Sequence, residues 1–81
     1  MYYIVLSSIT YATWLKRLFV GYGSTVAMVH TPGGIPVGGC SYSIRTTEKL
    51  FREVADAARQ ARMKILGVYK ESDGEFVEVK P

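Results

Sequence analysis

The sequence predicts an α+β domain, a ferredoxin-like βαββαβ sandwich with a short extra C-terminal β-strand. Three observations lead there. Segments with strand-like and helix-like patterns follow one another in the order β-α-β-β-α-β. The chain of 81 residues has room for one domain only. Right-handed crossovers then leave an antiparallel sheet of order 4-1-3-2 as the simplest closure, with both helices on one face.

Each element has its own signal. Tyr2–Leu6 is a short run of β-branched and aromatic residues, apolar on both parities, as in a buried central strand. Ser7 and Ser8 end it and can cap a helix. From Ile9 to Tyr22, large apolar residues at Tyr11, Trp14, Leu15, Leu18, Phe19 and Tyr22 make a helical stripe, with Gly23 as its stop. Thr25–Thr31 predicts a second strand, ended by Pro32. Thr31 to Gly39 carries no periodicity, and Ser41–Arg45 alternates as a strand with one wetter face. Thr46 and Thr47 offer caps for a second helix with Glu48 in its first turn. The stripe of that helix is Leu50, Phe51, Val54, Ala57, Ala58 and Ala61. Ile65–Lys70 is a fourth strand, and Asp73-Gly74 is a type I′ turn signal into a short strand at Phe76–Val79. The core spans about residues 2–70, and 71–81 form a hairpin extension.

Composition narrows the function. Hydrophobic residues make up 48% and charged residues 21%, enough for one modest core. The net charge of +3 comes from dispersed residues, which argues against a nucleic-acid partner. One cysteine excludes an internal disulfide, and with one histidine it excludes a conventional four-ligand zinc site. No metal or other cofactor is expected. The N-terminus lacks the pattern of a signal peptide, and no stretch reaches the length of a membrane span, so a cytoplasmic protein with no membrane partner is expected. Both parities of the first strand are apolar, and the fourth offers Leu66 and Val68 against Ile65 and Tyr69. Two helices cover one face only, which predicts a homodimer through the open sheet face; the other reading leaves that face exposed or covers it with the C-terminal hairpin.

The chemistry concentrates in "GGIPVGGCSYSIR", residues 33–45. The predicted topology puts Cys40 at the upper end of a central strand, near Ser8 and the start of the first helix, with His30 facing it. A helix N-terminus and an imidazolium both favour thiolate over thiol. Gly38 and Gly39 leave sulfur accessible and free backbone N–H groups for an anion, with Ser41 and Ser8 at the rim. Pro32 and Pro36 stiffen the loop. Arg45 has the opposite parity to Cys40 and reaches an anion there only if the strand starts late or bulges. The other reading makes Cys40 a small buried hydrophobe, since it shares parity with Tyr42 and Ile44.

These residues resemble the putative selenium/sulfur carrier-like family. The resemblance runs from about Tyr3 to Tyr69. It rests on "YYIVLSS", on "VAMVHTP" leading into "GGCSYSIR", and on the closing "ILGVYK". The family's proline, small-residue run ending in cysteine and following basic residue fall at Pro32, Gly38-Gly39-Cys40 and Arg45. Gly33 stands where the family usually has arginine. The resemblance implies a carrier without turnover of its own. Cys40 would hold sulfur or selenium as a persulfide or selenopersulfide, supplied by a desulfurase-type donor protein. The alternative is a non-catalytic dimerisation module of the same fold that binds a small ligand or a protein.

Overall fold

β-Branched and aromatic side chains favour extended backbone where both faces can be buried, and Tyr2–Leu6 (β1) is buried at every position. In a computed structural model, which describes residues 1–36 and 41–79, β1 is the central strand. Two helices and four further strands come after it: α1 (Ile9–Leu18), β2 (Val26–His30), β3 (Tyr42–Thr46), α2 (Phe51–Gln60), β4 (Ile65–Ser72) and β5 (Glu75–Glu78). The sheet is antiparallel throughout, in the order β2-β3-β1-β4-β5, so that β2 and β5 are its edges. Ile4 pairs with Ile44 on one side and Val68 on the other. All three side chains point to the face that carries the helices, where they meet Leu15 of α1 and Val54 and Ala58 of α2. The Tyr2 ring stacks on Phe51 with centroids 4.0 Å apart and fixes the start of α2 against β1.

The first helix departs from expectation. It ends at Leu18 instead of running to Tyr22, and a 3₁₀ segment at Val20–Thr25 completes the descent to β2. Gly23 has φ +60° with ψ −138°, a combination that only glycine adopts at little cost, and this turns the chain inside that segment. The buried residues of α1 are Ala12 and Leu15, with Phe19 just beyond its end. Tyr11, Trp14, Leu18 and Tyr22 of the expected stripe are exposed. Apolar residues surround this helix, so the sheet selects the line containing small Ala12, which lets the backbones approach closely.

The second helix also starts late. Thr46 belongs to β3 and is buried, while the N–H groups of Leu50 and Phe51 both donate to the Thr47 carbonyl. Glu48 therefore sits in a turn and accepts a hydrogen bond from the Tyr2 hydroxyl at 3.4 Å. Ala61 is exposed, and Arg62, at φ +60°, ends the segment. β3 begins at Tyr42 instead of Ser41, and β4 continues to Ser72. Asp73 and Gly74 both have positive φ, as a type I′ turn requires.

The far face of the sheet finds cover within the chain. Tyr3, Val5 and Tyr69 are buried there in a second apolar cluster with Ile35 and Phe76. Ile35 comes from the segment after Pro32. Phe76 comes from β5 and meets Tyr3 edge-on, with centroids 5.5 Å apart. A Cβ on Gly34 would lie 2.8 Å from the Phe76 ring, so the segment lies this close only because residue 34 is glycine. The exposed face on which the expectation of a homodimer rests is thus largely closed by a non-local contact.

The Tyr3 hydroxyl donates to Glu71 Oε1 at 3.3 Å. Burial, with the neighbouring Glu71 carboxylate adding to it, raises the Tyr3 phenol above its ordinary value. The folded chain therefore holds this proton more tightly than the unfolded chain. Its contribution to stability is complete below the ordinary tyrosine pKa and is lost as pH rises through the folded value. Tyr3→Phe should flatten the alkaline decline in urea-unfolding free energy above about pH 10. An alkaline limb as steep as in the native protein would show that Tyr3 does not cause it.

Candidate functional site

The upper end of the sheet is built from the ends of β1 and β2 and the start of β3. Leu6 pairs with Tyr42, which pairs with His30. His30 is exposed, and its ring lies against Tyr42 with centroids 4.5 Å apart. Two residues past β1, Ser8 caps α1, and its Oγ accepts from the Thr10 N–H at 3.1 Å. The helix N-terminus, with its partial positive charge, therefore lies at the same end of the sheet as His30.

Thr31 and Ser41 form the two feet of the loop between β2 and β3. The Thr31 N–H donates to the Ser41 carbonyl at 3.1 Å. The Ser41 hydroxyl donates to Thr31 Oγ1 at 2.8 Å, and Thr31 Oγ1 lies 2.8 Å from Ser43 Oγ. Ser43 is fully buried and Ser41 nearly so, which places these bonds where water competes least. Neither Thr31 nor Ser43 is among the residues the sequence points to. The serines on the wetter parity of "SYSIR" are the available signal, but their partner across the ladder depends on register.

Arg45 is not brought to this end. It pairs with Tyr3 and Ala27, three rungs from Tyr42 or about 10 Å along the strand. Its side chain is half-buried, and its Nε has no hydrogen-bond partner among the described residues. Ser8, His30 and Ser41 are thus gathered at one end, and Arg45 lies toward the other. Cys40, Gly38 and Gly39 lie outside the described residues. Among the described residues no helix is long and apolar enough to cross a membrane.

A family model described as "Putative Se/S carrier protein-like" matches residues 1–70. That span takes in β1 through most of β4 and stops before the hairpin that carries Phe76. Comparison with curated proteins and with solved structures finds no match.

Proposed function

Since the chain belongs to this Se/S carrier-like family, we propose that it carries sulfur or selenium on Cys40 and that its βαββαβ core is a ferredoxin-like sandwich. The family match over residues 1–70 carries the reading, because that span contains the chain's one cysteine. The chemistry at the loop's feet supports it. Ser41 is held by Thr31, the N-terminus of α1 lies at the same end, and His30 is exposed one rung from the loop. A helix N-terminus and a nearby imidazole both favour a thiolate.

The transfer is a thiol–persulfide exchange. The Cys40 thiolate, its proton released to solvent, attacks the outer sulfur of a persulfide on a donor protein. A new S–S bond forms as the donor's S–S bond breaks, and the donor's inner sulfur leaves as a thiolate. No electrons are gained or lost overall, and discharge to an acceptor thiol is the same step in reverse.

The test is the pH dependence of Cys40 alkylation in the folded protein, with glutathione as reference. Half-maximal reactivity is expected well below the free-cysteine value of about 8.5. A cysteine that reacts only after unfolding would overturn the reading.

A further inference from the structure

Edge strands present unpaired backbone groups, and proteins blunt them with charge, proline or bulges. The two edges of this sheet differ in that respect. β5 bears Glu75 and Glu78, whereas β2, "VAMVH", has no Asp, Glu, Lys, Arg or Pro. The pairing pattern shows which β2 groups are open. Thr31 bonds to its opposite residue Ser41, so alternate residues Val29 and Ala27 also face β3, and Val26, Met28 and His30 face outward. Val26 is already occupied. Its N–H donates to the Gly23 carbonyl, and the Lys16 ammonium donates to its carbonyl and, at 2.8 Å, to that of Gly23. The N–H and C=O groups of Met28 and His30 have no partner among the described residues.

A groove on the outer side of α1 lies above this stretch, lined by Ile9, Thr10, Thr13, Trp14 and Arg17. Thr13 joins the two, since its hydroxyl lies 3.6 Å from the Met28 sulfur. Ile9 and Trp14 are about half exposed, and Arg17 is exposed with no ion-pair partner among the described residues. Among the residues that line the groove the one charged side chain is Arg17, and neither α1 nor β2 contains an Asp or Glu.

From these observations we infer that the β2 edge and the α1 groove together bind an extended segment of a partner protein, one with an apolar and an acidic side chain two residues apart. The segment adds a strand at Met28 and His30. Alternate side chains of an added strand point to the helix face. One of them packs on Ile9 and Trp14, and the next places its carboxylate by Arg17. Charge complementarity favours this occupant over a second copy, whose own β2 side is equally free of acids. The site uses no sulfur chemistry and stands whether or not Cys40 carries cargo.

The experiment titrates the full-length ¹⁵N-labelled protein with the capped peptide Thr-Val-Thr-Glu-Thr-Val and with its Lys-for-Glu counterpart. The acidic peptide is expected to bind in the millimolar range and about three- to tenfold more tightly than the basic one. Its shifts should centre on the amides of Met28, His30, Thr13 and Arg17. Arg17→Glu, a change at an exposed position, should reverse the preference, and Met28→Pro should abolish binding of both peptides. Three outcomes would overturn the proposal: equal binding of the two peptides by the native protein, shifts centred elsewhere, or no binding at about 5 mM peptide. So would concentration-dependent shifts at Met28 and His30 without peptide, which would assign the edge to a second copy.

Discussion

Cys40→Ser is expected to abolish acceptance of sulfane sulfur while leaving the fold intact. Incubated with a persulfide donor, the native protein should gain the mass of one sulfur atom, which a reductant removes, and the variant should gain nothing. A serine hydroxyl is similar in size to a thiol. It is hardly ionised near neutrality, and an O–S adduct would not survive as a persulfide does. With so small a change in side-chain volume, far-UV circular dichroism and the urea midpoint should change little. Equal sulfur uptake by the variant would remove Cys40 from the chemistry, since the chain has no other cysteine.

The second large effect falls on the core. Ile4→Ala is expected to lower unfolding free energy by about 2–5 kcal/mol. Ile4 is fully buried at the centre of the sheet, between Ile44 and Val68, and both helices close over it. Neighbours fixed on two ladders cannot collapse into the space, so the variant loses contacts as well as apolar burial. Urea unfolding should show a lower midpoint with an unchanged slope. Leu18→Ala is the control. Leu18 is half exposed at the end of α1, and its truncation should cost no more than about 0.5 kcal/mol. Comparable losses in the two variants would contradict the assignment of buried faces.

The contrast between these leucine and isoleucine positions shows what could be read from the sequence. The order of elements could be read, because period-two and period-3.6 patterns alternate cleanly and Asp73-Gly74 marks its turn without help from the rest of the chain. The buried line of α1 could not. Ile9, Tyr11, Trp14, Leu15, Leu18 and Phe19 surround the helix, and contact with β2 and β3 decides which of them turns inward. The late start of α2 has a similar cause, since the pairing of Thr46 with Tyr2 and Val26 holds it in β3 against its capping preference. The cover over Tyr3, Val5 and Tyr69 is legible only in part: the hairpin is one reading of the sequence, and the share of Ile35 is not. Ile35 and Phe76 lie 41 residues apart in sequence, and neither shows a periodic pattern that points to the other.

At the candidate site, the segment that turns between β2 and β3 could be read from Pro32 and the glycines. The topology then gathers Ser8, His30 and Ser41 at one end of the sheet. Arg45 goes the other way because strand rise and parity are rigid. With β3 regular from Tyr42 onward, no bulge brings Arg45 back toward the loop. The hydroxyl chain through Thr31 depends on which serine lies across the ladder, and that is set by register.

The carrier role stands or falls on the intact mass of the protein purified from its native host, taken before and after reduction. A fraction heavier by one sulfur or one selenium atom is expected, with the increment mapped to Cys40 and removed by reductant. A single unmodified mass, in protein that also takes up no sulfur from excess persulfide donor, would rule the role out.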